Sequence, residues 1–389
     1  MTTGIRRIVL LSIISVCSNL LVAQVIKRGP YLNAVTGQSA IVRWKTGGAI
    51  KAKVTWWREG EVTSSSTVEK RKAKTHEVKI EGLQPGTKYF YRTEERHIFP
   101  IVDSTQFFRT APVIGSQSSV RIWASGDFGD GSINQRDCYQ AMLSVSKDHL
   151  PDAWIWLGDN AYESGTEEEY QRNVFEVYDR KFFQQTPIYP TPGNHDYRDK
   201  RENGAKRIAY YDLFSVPAFY SFDYGNVHLI SLNSEEETKN GFTIADSTSK
   251  QIKWLKKDLE TNRQKWTIAY LHRPPYTSAG SHNSDKEMDL VRLRQNIVPI
   301  LEKYGVDVLI AGHSHVYERI RGNAGVVYLV AGSGGHIDND GIGSPHPATI
   351  YSNSEIGGSL LIDAVANCLT FRWVCADGKV RDEFSLHKY

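Results

Sequence analysis

Five short runs hold residues whose types and spacing suit metal chemistry. They are Gly126-Asp127-Phe128-Gly129, Gly158-Asp159-Asn160-Ala161-Tyr162, Gly193-Asn194-His195-Asp196, Tyr270-Leu271-His272 and Gly312-His313-Ser314-His315. Asp127, Asp159, Tyr162, Asn194, His272, His313 and His315 form a set of oxygen and imidazole donors without a thiolate. Such a set suits iron, manganese or zinc. Seven donors exceed what one tetrahedral ion needs. They point to two ions, which a carboxylate can bridge at a separation of about 3.5–4 Å. Glycine beside the donors lets the chain turn sharply and approach a metal closely.

Each run directly follows an apolar stretch that reads as a strand. The strand candidates in this half are 120–124, 153–157, 187–191, 218–224, 227–231, 266–271, 306–310 and 326–330. Helical patterns lie between them. Ile252, Leu255 and Leu259 make one apolar stripe; Leu290, Leu293, Ile297, Ile300, Leu301 and Tyr304 make another, with Pro299 expected to kink it. Strands alternating with helices indicate a layered α/β domain. In open α/β sheets, ligands bind beyond the carboxyl ends of strands, so donors distant in sequence can meet in one site.

Residues 25–112 read differently. Strand candidates at 39–45, 52–58, 75–81, 88–93 and 105–109 recur at the spacing of a β-sandwich. Leu83-Gln-Pro85-Gly-Thr87-Lys-Tyr89-Phe-Tyr91 suits a sandwich corner, where a Tyr hydroxyl bonds back to the backbone. Trp44, Trp56 and Trp57 read as packing residues. A Pro/Gly/Ser-rich linker follows at 110–119. The fold class is therefore α+β in two domains: a fibronectin type III-like sandwich over 25–112 and an α/β domain over 118–389.

The chain has 389 residues, 40% apolar and 23% charged, with a formal net charge of +3. That is ordinary globular composition. Charges of both signs are interspersed, so no nucleic-acid partner is indicated. Residues 1–23 resemble an export signal: Arg6 and Arg7 precede an apolar run at 8–16, and Ala23 is a plausible cleavage position. This predicts a secreted or periplasmic protein with no membrane span in the mature chain. Beyond that segment only Cys138, Cys368 and Cys375 remain. The last two read as one strand with about 23 Å between them. That is too far for a disulfide.

The five runs, in this order and spacing, resemble the metallophosphoesterase superfamily and its purple acid phosphatase branch. The superfamily's first run is Asp-x-His. Here Gly129 stands in the third place, and Tyr162 appears three residues after Asp159. In the purple branch a tyrosine replaces the lost histidine, and phenolate favours ferric iron. The resemblance implies that Asp127, Tyr162 and His315 hold Fe(III), that Asn194, His272 and His313 hold a divalent ion (Fe, Zn or Mn), and that Asp159 bridges. It implies a catalytic domain of two mixed sheets flanked by helices. Metal-activated hydroxide would hydrolyse small-molecule phosphomonoesters, as in an acid phosphatase. His195 is the expected proton donor or phosphate clamp, oriented by Asp196. His282 is a second substrate-facing candidate. His336 reads as a solvated loop residue, and Arg273 and Tyr276 as substrate contacts or surface packing. Phosphodiesters, phytate-like compounds and nucleotides are alternative substrates. An exported binding protein with a decayed site is the non-enzymatic alternative. Oligomeric state is open.

Overall fold

The computed structural model describes residues 25–94, 106–147, 149–239, 241–337 and 341–389. The expected export segment, 1–23, lies outside the described residues, as does Thr105. The chain divides into two compact units. The first takes in residues up to Thr110 together with Asp179–Pro187; the second is Ala111–Tyr178 with Ile188–Tyr389.

Among the described residues the first unit is all-β apart from one short helix, Arg180–Gln185. Its strands are β1 (Ile26–Asn33), β2 (Ser39–Ile50), β3 (Lys53–Arg58), β4 (Ser65–Val68), β5 (Ala73–Glu81), β6 (Lys88–Glu94) and β7 (Phe107–Arg109). One sheet has the order β1-β2-β5 and the other β4-β3-β6-β7. Leu32, Val42, Trp44, Val54, Val78, Ile80, Tyr91 and Phe108 fill the space between them. The expected corner is present: the Gln84 N–H donates to the Tyr89 hydroxyl at 3.0 Å. The Arg180–Gln185 helix joins this unit because Phe182 and Phe183 are buried and the Tyr91 hydroxyl donates to the Gln184 carbonyl at 3.1 Å.

The second unit holds two mixed sheets. Its strands continue as β8 (Val120–Ser125), β9 (Ala153–Leu157), β10 (Ile188–Thr191), β11 (Tyr220–Tyr224), β12 (Val227–Ser231), β13 (Glu237–Thr238), β14 (Gly241–Phe242), β15 (Trp266–Leu271), β16 (Val308–Ala311), β17 (Tyr317–Arg321), β18 (Val327–Ala331), β19 (Thr349–Asn353), β20 (Gly358–Val365), β21 (Cys368–Cys375) and β22 (Val380–His387). One sheet runs β22-β21-β20-β8-β9-β10, the other β11-β12-β15-β16-β18-β17-β19. Strands β8, β9 and β10 are mutually parallel, as are β12, β15, β16 and β18.

Strand periodicity sorts the side chains into layers. On β9, Ala153, Ile155 and Leu157 join Leu229, Ile268, Val308, Ile310 and Ile362 in the core between the sheets. Trp154 and Trp156 point the other way, where Trp154 stacks on Trp123 with centroids 4.2 Å apart. The helix Lys250–Thr261 is capped by Ser249 and buries Ile252, Leu255 and Leu259. The helix Met288–Lys303 continues through Pro299 and buries Leu290, Leu293, Ile297 and Leu301. Both helices pack on the outer face of the seven-stranded sheet with Ile230, Leu271 and Leu309. Among the described residues no helix is long and apolar enough to cross a membrane, and Cys138, Cys368 and Cys375 are free.

One polar cross-link ties a helix to this sheet. His228 on β12 sits between Asp223 of β11 (Nδ1–Oδ1 2.7 Å) and Asp258 of the helix Lys250–Thr261 (Nε2–Oδ2 2.9 Å). Burial alone would lower the His228 pKa. The hydrogen bonds and charges of the two carboxylates outweigh it and push the value up to about 9. A folded-state value raised above the unfolded one contributes stability that is complete below about pH 6.5 and lost as pH rises through about 9. His228→Gln is therefore expected to destabilise the protein by about 2–3 kcal/mol at pH 6 and by much less at pH 10. Denaturant titrations of both proteins at the two pH values check this; an equal deficit at both contradicts it.

Candidate metal centre

The donors sit on the turns that leave parallel strands. Asp127 follows β8, Asp159 and Tyr162 follow β9, Asn194 follows β10, His272 follows β15, and His313 and His315 follow β16. Asp127, Asp159 and His313 have φ of 55°, 49° and 70°. Non-glycine residues rarely adopt this left-handed backbone, and such strain concentrates at functional sites. Close approach also demands glycine. A Cβ on Gly158 would lie 2.5 Å from His272 Nδ1, and one on Gly129 would lie 1.8 Å from the Asn160 carbonyl oxygen. No side chain can enter the centre from position 129, where the resemblance marks a missing histidine. The Tyr162 hydroxyl reaches the centre instead.

All seven donors converge, and they fall into two groups. The Tyr162 hydroxyl oxygen is 3.2 Å from Asp127 Oδ1, 3.3 Å from Asp159 Oδ2 and 3.4 Å from His315 Nε2. Asn194 Oδ1 is 2.9 Å from both His272 Nε2 and His313 Nδ1, which are 3.2 Å from each other. His272 Nε2 is 3.4 Å from Asp159 Oδ1. So one oxygen of Asp159 faces each group. Metal–ligand bonds of about 2.0–2.2 Å place neighbouring ligand atoms roughly 3 Å apart, the spacing seen in both groups.

The electrostatics fit cations. Burial and the carboxylates of Asp127 and Asp159 push the Tyr162 phenol well above its usual range. Burial opposes a charged Asp159, but the His272 and His195 imidazoles overcome it and hold the carboxyl well below the usual range. His272 is the other side of that pair: burial lowers it, and the Asp159 and Asp127 charges push it up to about 9. His313 is driven well down by burial and by Arg273 and its neighbouring imidazoles, which leaves it a neutral donor. His272 Nδ1 donates to the Leu157 carbonyl at 3.0 Å, so its Nε2 faces the centre. Among the described residues His313 Nε2 is buried without a partner. A ring whose Nδ1 is a ligand has its N–H at that position.

A profile of the calcineurin-like phosphoesterase family matches residues 120–317, the segment that carries all seven donors. The chain belongs to that family. A second profile, the purple acid phosphatase N-terminal domain, matches residues 30–110 and places it in the purple acid phosphatase branch. Purple acid phosphatase 23 of Arabidopsis thaliana is 28% identical over 310 residues, covering 68% of this chain and 63% of that protein. Acid phosphatase type 7 of Mus musculus is 29% identical over 274 residues, covering 64% and 58%. This chain thus spans less than two thirds of either relative. The structure of a purple acid phosphatase from yellow lupin (Lupinus luteus) seeds has the same fold, with a TM-score of 0.76 at 20% identity over 92% of this chain and 74% of that one.

The remaining expected residues divide. His195 lies at the centre: its ring is 4.5 Å from that of Tyr162, and its Nε2 is 3.8 Å from Asp159 Oδ2. Asp196 does not orient it, contrary to the expectation from the sequence. Asp196 is fully buried and accepts from Gly193 N–H (2.7 Å), Asn160 N–H (3.2 Å), Asn160 Nδ2 (2.9 Å) and the Tyr170 hydroxyl (2.5 Å). Burial and the Asp159 charge push it up to about 7. Asp196 is the hub that ties the turn after β9 to the turn after β10. His195 is oriented instead by the Glu163 carbonyl, 2.6 Å from its Nδ1.

His282 does reach the site. Its ring lies 4.0 Å from that of His313, and Glu287 Oε1 holds its Nδ1 at 3.1 Å. Glu287 was not marked in the sequence because its loop carries no strand signal. Arg273 is engaged by buried Glu235 (Nε–Oε1 2.8 Å), and Tyr276 packs on Tyr328 and His346. His336 is no isolated loop residue either: its ring meets those of Tyr162 and His315.

The neighbours His195 and Asp196 therefore separate in a stability assay. Asp196→Ala strands several buried partners and is expected to cost about 2–4 kcal/mol. That should lower Tm by roughly 5–10 °C. His195→Ala should leave Tm within a degree or two of wild type. Thermal melts decide; equal losses would contradict the division of roles.

Proposed function

We propose that this chain is an exported phosphohydrolase that cleaves phosphomonoesters at a two-ion centre, an acid phosphatase. The observation that carries the reading is Asp159, whose two oxygens face two separate donor groups. Asp127, Tyr162, His315 and Asp159 Oδ2 would hold Fe(III). Asn194, His272, His313 and Asp159 Oδ1 would hold a divalent ion, Fe, Zn or Mn. The names of the relatives support the monoester reading, and the signal-like residues 1–23 support export to the periplasm or beyond.

When bound, the ions supply Lewis-acid polarisation of the phosphate and a lowered pKa for water. The protein's own groups complete the chemistry. His195 has its Nδ1–H committed to the Glu163 carbonyl, so its Nε2 is the nitrogen that faces the substrate, and in the imidazolium form it holds the proton to be transferred. It protonates the leaving alkoxide or clamps a phosphate oxygen. His282, braced by Glu287, offers a second donor beside His313. Together they stabilise charge on the equatorial oxygens as the bond to the leaving group lengthens.

Purified protein is expected to carry two metal ions per chain and a visible phenolate-to-iron absorption. Tyr162→Phe should lose that absorption while retaining the divalent ion. His195→Ala should lower kcat by about 10²–10⁴-fold. Esters with poor leaving groups should suffer most. Metal analysis, a visible spectrum and assays on a monoester, a diester, phytate and a nucleotide test the whole reading. A band that survives in the Phe variant removes the phenolate, and metal-loaded protein inert on every ester at every pH removes the activity.

A further inference from the structure

We propose that His336 is a positioning residue for one half of the centre, the half formed by Asp127, Tyr162 and His315. The inference rests on the two-ion reading above. Residue 336 touches all three of these donors. Its backbone N–H donates to the Asp127 carbonyl at 3.3 Å. Its ring lies nearly parallel to that of His315, with centroids 5.1 Å apart at 21°. The same ring meets Tyr162 edge-on, with centroids 4.6 Å apart at 75°.

The ring is anchored from behind. Its Nε2 lies 3.6 Å from Asp130 Oδ2, and the Asp130 side chain is only 10% exposed. Asp130 is itself fixed, because its Oδ1 accepts from the Ser132 N–H at 2.9 Å. The turn that carries His336 leaves the end of β18, parallel to β16, whose own exit turn carries His313 and His315. That turn is pressed against the centre. A Cβ on Gly335 would lie 2.7 Å from Asp130 Oδ1 and 2.8 Å from the Asp127 carbonyl oxygen.

The His336 side chain is 38% exposed, so filling a core does not account for it. Two of its ring contacts are to donor side chains. Hydrogen-bonded groups behind a metal ligand's ring set its plane and are commonly worth about 10–100-fold in metal affinity. His336 braces by ring contact, and the lower end of that range is the effect expected of it. Here one imidazole braces an imidazole and a phenol that would share one ion. Truncating it removes one brace from each of these two rings and leaves the Asn194–His272–His313 side untouched.

The test uses full-length protein loaded with iron and zinc. Wild type, His336→Ala, His336→Phe and Asp130→Asn are challenged with increasing chelator, and both ions and the visible spectrum are followed. His336→Ala is expected to release iron at roughly tenfold lower chelator than wild type, to shift the Tyr162 absorption, and to hold zinc normally. His336→Phe keeps a ring in place and should restore much of the iron retention. Asp130→Asn should fall between Ala and wild type. Unchanged iron retention and absorption in His336→Ala overturns the proposal, as does a Phe variant no better than Ala. Equal loss of both ions also overturns it, because that marks a general structural defect. A wild type that binds both ions with the absorption keeps the two-ion reading standing whatever the variants do; a wild type that fails to bind both overturns that reading and the proposal with it.

Discussion

The second unit is organised around one buried carboxylate. Asp159 is 2% exposed, and its oxygens face opposite donor groups. Placing it beside Asp127 and Tyr162 crowds acidic groups where water cannot screen them. The pocket answers partly with imidazoles, which is why His272 rises as Asp159 falls. It leaves the phenol protonated, because burial and then the two carboxylates resist a third negative charge there. A multivalent cation reverses that balance, since its own charge dominates a site of this size. The donor set is therefore matched to ions and poorly matched to anything else.

Neither sheet can make the centre alone. The oxygen donors Asp127, Asp159, Tyr162 and Asn194 all leave β8, β9 and β10 of one sheet; the imidazoles His272, His313 and His315 leave β15 and β16 of the other. Each donor group mixes the two sources. The apolar layer between the sheets, with Ile155, Leu157, Ile268 and Ile310 in it, thus fixes the distance between oxygen and nitrogen ligands. The left-handed turns at Asp127, Asp159 and His313 persist because that packing holds the strands on either side of them. Stability of the core and geometry of the site are the same constraint seen from two ends.

Much of this was legible because the signals are local. Apolar strand, glycine, donor is a pattern that needs no tertiary information, and all seven donors it marked converge. The buried strands β9, β12 and β15 begin and end where their apolar runs do. The unmarked strands β1, β4, β17, β19 and β22 carry polar residues or lie at sheet edges, so their periodicity is weak, whereas β20, also unmarked, is buried along Gly358–Ala364 and its short apolar run is broken by Asp363. Asp196 was misread for a different reason. Adjacency to His195 suggested partnership, but residue 196 accepts from Gly193 N–H three positions back. An aspartate that closes its own turn has its carboxylate committed before any neighbour can use it.

The carboxyl ends of parallel strands gather more at this edge than the five ligand runs. Two more parallel strands point their carboxyl ends the same way. After β12 come Asn233, Ser234 and Glu235, all fully buried, and Glu235 grips Arg273 beside the donor His272. After β18 come the glycines that deliver His336 to Tyr162 and His315. Neither run looks like a ligand run, because neither offers a donor to the centre itself. Their polar residues act on the residues that do. A parallel sheet gathers at one edge the groups that bind and the groups that brace them, and sequence marks the first kind because their chemistry is explicit. The second kind is recognised only by contact, so a bracing residue such as His336 becomes visible only when the fold is known.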